Sequence, residues 1–281
     1  MIPAWQFNPP AIVSSALTLF VYAWLYQRSR RDHARVPWPG WQVASFVAGV
    51  LVSLLALISP LESLADVVFA AHMLQHMLLL VVAPPLLVMG LPVKAVLRAM
   101  PRRIRRRIIR PLARSQFLHG VGRFLFHPVS VFCVFNGVLG LWHVPAIYTA
   151  ARQAEPLHIV EHASFLLAGC LLWWLIVEPL RAWPKGADLT KIVFATSCHL
   201  PMLLLGQLFL AFAGMPLYAF GAAGEADWGL TPLSDQRLGG GIMFGLDMLI
   251  TFATVSALFG RYLAGLERRQ RALDEVAFRD L

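Results

Sequence analysis

Six of the nine histidines fall within or at the ends of long apolar runs, in a spacing that suits metal ligation. His72 and His76 (HMLQH) are four residues apart, as are His158 and His162 (HIVEH). Such i,i+4 partners share one helix face, about 6 Å apart in rise. His143 (WHVP) and His199 (CHLPM) complete the set. Imidazole is a common ligand for copper and zinc, and polar groups in lipid are costly and usually functional. A lone histidine of this kind more often serves as an interhelical hydrogen-bond partner. Two i,i+4 pairs in different apolar runs favour a metal or cofactor site. Met73 and Met77 flank the first pair, and Cys198 and Met202 flank His199. Thioether and thiolate donors favour Cu(I), although each methionine or cysteine taken singly reads more readily as packing.

Acidic side chains stand near these histidines. Glu62 and Asp66 (SPLESLAD) lie just before the first pair, where Asp66 can cap the helix, orient a histidine or attract a cation. Glu161 sits between the second pair and, as the residue before His162, points about 100° away from it. Asp247 lies inside the last apolar run, where it needs an inward-facing histidine or a proton as partner. Pro84, Pro85 and Pro201 are expected to loosen their helices.

The elements that position these groups are membrane helices. Hydrophobic residues make up 58% of the 281 positions and charged residues only 14%, against about 25% in a soluble domain. The net charge of +9 does not mark a nucleic-acid binder, because the cations sit between apolar runs. The three cysteines lie inside those runs and form no CxxC, which argues against a disulfide framework or a thiol-based head domain. The N-terminus lacks the basic region of a cleaved signal, so the first apolar run reads as a retained anchor.

Runs long enough to cross the bilayer lie near 11–27, 41–59, 68–90, 129–147, 157–178, 191–213 and 240–260. The expected fold is therefore all-α, a single membrane bundle of seven helices over 1–281. Lys and Arg set its orientation. Four fall in 28–35, ten in 94–123, three in 181–191 and five in 261–279, leaving only Arg152 and Arg237 on the other side. This places the N-terminus outside and the C-terminus in the cytoplasm. The histidine pairs and His143 then lie in the outer half, and His199 nearer the middle. The stretch RRIRRRIIR (102–110) is accounted for by topology, with anionic lipid as its natural partner. The Gly- and Pro-rich segment 214–239 is the longest external connection and a candidate lid.

At these residues the chain resembles the CtaG family of polytopic cytochrome c oxidase assembly factors (caa3 type). The resemblance is carried by HMLQHMLLLVVAPPLLVMGLP (72–92), LWHVPAIY (141–148), HIVEHASFLLAGCLLWW (158–174), PLY (216–218) and SDQRLGGGIM (234–243). It departs from the family pattern at FGLDM (244–248). The resemblance implies a bacterial cytoplasmic-membrane protein that serves haem–copper oxidase subunits, with copper supplied at the outer side. It falls on His72, Gln75, His76, Pro84, Pro85, His143, His158, His162, Asp235, Gln236, Gly239 and Gly240.

The leading reading is a non-enzymatic factor that binds copper and hands it on. A bis-His haem carrier or redox protein is the second, with His76 and His162 as ligands on different helices. A copper transporter is the third, and it would need ligands through the full depth. A scaffold without metal is the fourth.

Overall fold

The computed structural model describes residues 5–31, 38–91, 93–177, 183, 187–212, 214–218 and 227–279. Arg35, Arg181 and Lys185 of the expected basic face, and positions 219–226 of the expected lid, lie outside the described residues. The described chain is helical, with no strand among its residues. Its elements are α1 (Pro9–Arg31), α2 (Gly40–Ile58), α3 (Pro60–Ala65), α4 (Phe69–Met89), α5 (Val93–Ala99), α6 (Gln116–Leu125), α7 (Pro128–Trp142), α8 (Pro145–Gln153), α9 (Glu155–Val177), α10 (Asp188–Ala211) and α11 (Pro232–Arg279). The Arg-rich stretch between α5 and α6 forms short helical pieces in which Arg102, Arg103, Arg106, Arg107 and Arg110 are exposed.

Six of these helices are long and apolar enough to cross a membrane: α1, α2, α4, α9, α10 and α11. The fourth expected span, 129–147, divides instead. Helix α7 stops at Trp142, and Pro145, which has no N–H to continue the ladder, opens α8. With 15 residues, α7 rises about 22 Å, short of the ~30 Å hydrocarbon core. It reaches span length only together with α6, from which it is bent by 60°. The last helix is longer than expected and runs on past the apolar segment to Arg279.

Helix α4 is the hub. In its apolar 18-residue stretch 67% of residues are buried, against 17% in that of α1, and it packs against α2, α9 and α11. Pro84 and Pro85 cannot donate to the carbonyls one turn back, and the ladder answers with a π-helical turn at Leu78–Val82, directly after His76 and Met77. Helices α10 and α11 approach closely where Gly206 faces Gly240, since a Cβ on Gly240 would lie 2.7 Å from the Gly206 carbonyl oxygen. Leu17, Phe20, Trp24, Leu200, Leu204, Leu249 and Phe252 point outward and exposed, as a lipid-facing surface requires.

Candidate metal centre

Side chains from the N-terminal halves of α4 and α9 meet near one end of the bundle, where α3 packs on α4 and α8 packs on α9. His72 and His76 come from α4, and His158, Glu161 and His162 from α9. The ring centroids of His72 and His76 are 4.1 Å apart, and so are those of His158 and His162. Across the two helices, His72 lies 5.6 Å from His158 and His76 lies 5.5 Å from His162. The two sequence pairs thus form one group of four imidazoles.

Within it, one nitrogen each from His72 and His76 and one oxygen from Glu161 lie within 4.8 Å of one another, and all three residues are buried. His76 Nε2 lies 3.6 Å from Glu161 Oε1. Donors around a tetrahedral metal sit roughly 3.3 Å apart, given metal–ligand bonds near 2 Å. Both ring nitrogens of His76 and both carboxylate oxygens of Glu161 are buried without a hydrogen-bond partner among the described residues, as are His158 Nε2 and His162 Nε2. A buried carboxylate left so must be balanced by a proton or a cation. The donor set therefore fits a metal ion.

Glu161 was not expected at the site. The 100° step from its neighbour misled, because the useful reference is His158. From His158, Glu161 at i+3 lies about 60° to one side and His162 at i+4 about 40° to the other. All three side chains therefore flank one face. Two contacts hold this turn of α9: Trp142 Nε1 donates to Ser164 Oγ at 2.8 Å, and Ser164 Oγ donates to the Glu161 carbonyl at 2.8 Å. Phe165 covers His76 at 4.6 Å, and Tyr148 of α8 meets His72 edge-on at 5.4 Å.

The other expected residues are placed as follows. His143 is half-buried at the end of α7, where its Nδ1 meets the Leu139 carbonyl oxygen at 2.7 Å and its ring lies near Phe165 and Phe209. His199 does not join the group. It is buried in α10 with its Nδ1 2.6 Å from Asp247 Oδ1, so Asp247 has the histidine partner its position demanded. Met73 packs against Gly239 of α11, and Met77, Cys198 and Met202 belong to the apolar core.

Gln75 and Glu62 meet each other rather than the histidines. Gln75 Nε2 donates to Glu62 Oε2 and, at 2.8 Å, to the Ala56 carbonyl, which ties α4 to α3 and the end of α2. Asp66 is exposed and closes α3 instead of opening α4. The cap of α4 comes from far along the chain: Asp235 accepts from Phe69 N at 2.6 Å and Ala70 N at 2.9 Å. Beside it, Gln236 Oε1 accepts from Leu217 N at 2.6 Å. Tyr218 donates to the His143 carbonyl at 2.7 Å and stacks on Phe69 at 5.2 Å, so the described part of the 214–239 segment is fastened over this end of the bundle.

Burial, opposed by the hydrogen bond from Gln75, pushes Glu62 up from 4.5 to about 7. A carboxyl with a raised folded-state value contributes stability at low pH that is lost as pH rises through about 7. The thermal midpoint of the unmodified protein is therefore expected to fall between about pH 5 and pH 8, and Glu62→Gln to lessen that fall. Equal falls in both proteins would refute this role for Glu62.

A family model described as the cytochrome c oxidase caa3 assembly factor matches residues 20–264, a range that takes in all six histidines and Glu161. The chain belongs to that family. Among curated relatives of this caa3 assembly-factor chain, uncharacterized proteins of Mycobacterium bovis and Mycobacterium leprae are each 25% identical to it. The matches run over 270 and 269 residues, 92% of this chain and 39% of each relative. The chain thus spans about two-fifths of the length of these relatives. No solved structure matches it.

Proposed function

We propose that this member of the caa3 assembly-factor family serves oxidase maturation by holding copper at His72, His76 and Glu161 and passing it to a haem–copper oxidase subunit. The observation that carries this reading is the buried Glu161 carboxylate, which accepts no hydrogen bond among the described residues and lies 3.6 Å from a His76 nitrogen that makes none either. His158 and His162 stand close enough to receive or relay the ion. The protein is a carrier and catalyses no reaction. It works in the bacterial cytoplasmic membrane with its N-terminus outside. The histidine group faces the outer side, and the Arg-rich stretch lies against anionic lipid on the inner side. That arrangement agrees with the positions of the two features at opposite ends of α4.

The donor set refines the expected oxidation state. Cu(I) was favoured by methionine and cysteine donors, and those side chains pack in the apolar core. Two imidazoles and a carboxylate are harder ligands and suit the divalent ion better. The geometry supports haem less well. A macrocycle ligated on both faces must lie between its two histidines, whereas His76 and His162 are in T-shaped contact and Phe165 fills the adjoining space. Transport has less support too, because His199, the one histidine nearer the middle, is engaged by Asp247.

Metal and haem analysis of the purified protein tests the reading. Copper in a stoichiometry near one per chain, without a Soret band, is the expected result. A Soret band without copper would overturn it in favour of a haem carrier.

A further inference from the structure

The end of the bundle that holds the histidines is poor in cations, with only Arg152 and Arg237 by sequence. One of the two stands at the site itself. Helix α8 buries Tyr148 edge-on to His72, and Arg152 follows four residues later on the same face. Its Nη2 donates to the Asp66 carbonyl at 2.5 Å, so the guanidinium reaches from α8 to the turn between α3 and α4. Tyr148, one turn earlier on α8, touches His72, and Asp66 lies six residues before His72, so the charge stands beside the donor set. A guanidinium keeps its charge at any accessible pH, so this field is permanent.

A fixed positive charge beside a donor set has two effects. It helps balance the Glu161 carboxylate before metal arrives, and it raises the energy of any second cation that enters. Both make metal binding weaker than the ligands alone would give. From this placement we propose that Arg152 sets the site's affinity, weakening its hold on a metal cation enough for the ion to be handed on. The proposal rests on the reading of His72, His76 and Glu161 as a metal site.

The test is titration of the full-length protein in lipid nanodiscs with Cu(II), against a competing chelator, for the unmodified chain and for Arg152→Gln, Arg152→Lys and His76→Ala. Removing the charge in Arg152→Gln is expected to tighten Cu(II) binding by about tenfold. Arg152→Lys, which keeps the charge and changes the shape, is expected to stay within about twofold of the unmodified protein. Arg152→Met serves as a second neutral replacement should the Gln variant misfold.

Unchanged affinity in the neutral variants, with His76→Ala still abolishing binding, overturns the role of Arg152 and leaves the metal site standing. So does a Lys variant that binds as tightly as the Gln variant, because tethering of α8 and not charge would then be the cause. Absence of Cu(II) binding by the unmodified protein overturns the site and this proposal together.

Discussion

Changing His72 and His76 together to Ala is expected to abolish copper binding while the bundle stays folded. The two residues supply two of the three donors that converge within 4.8 Å. What is left, Glu161 with the α9 imidazoles, offers no opposing ligand from α4. The fold should survive because α4 is held by its packing on α2, α9 and α11 and by caps that involve neither histidine. Glu161→Gln is the graded companion. The amide keeps the shape and one oxygen donor but loses the charge, so copper affinity should fall roughly 10- to 100-fold and not vanish. Copper stoichiometry by elemental analysis, with a thermal melt of each variant, decides the matter. Unchanged stoichiometry in the double variant would end the reading of this group as the copper site.

Asp235→Ala should be the most destabilising single change. Asp235 is fully buried and accepts two hydrogen bonds from the first residues of α4. The cap position itself, Val68, has no side chain that can accept them. Helix starts leave N–H groups that need partners and favour negative charge. Removing the carboxylate strands two buried donors, each worth about 1.5–3 kcal/mol when bonded to a charged group. A loss of roughly 3–5 kcal/mol follows, which lowers the melting midpoint by roughly 10 °C. Asp235→Asn, with one acceptor oxygen left, should fall between. A drop below about 2 °C in the Ala variant would show that α4 does not depend on this cap. The cap also fixes the first turn that carries His72, so copper affinity should weaken with it.

The two histidine pairs and the helical membrane architecture were legible because both rest on periodicity, and i,i+4 spacing in an apolar run leaves little choice of face. Three features were not. Glu161 was judged against its immediate neighbour, whereas the bundle orients it relative to His158. Asp66 was the obvious local cap for α4, but the helix takes its cap from Asp235, 166 residues from Phe69 in sequence. A contact of that range leaves no trace in spacing. The break after Trp142 was hidden because averaged hydropathy passes smoothly over His143, Val144 and Pro145, where the backbone turns from α7 into α8. The methionines are a further case: their softness suggested ligands, and the structure sets Met73 and Met77 among the apolar core residues.

The π-helical turn at Leu78–Val82 has a consequence for how α4 can change. An extra residue accommodated in one wide turn leaves the segments before and after it in phase, whereas a residue added to or removed from regular turns shifts them by about 100°. The histidines lie before this turn and the close approach of Pro84 to Gly169 of α9 lies after it. The stretch can therefore absorb the loss of one residue by reverting to an ordinary α-turn, with the histidines and Pro84 still in phase. The same deletion in the regular turns between Phe69 and Met77 has no such slack and would swing the histidines by about 100°.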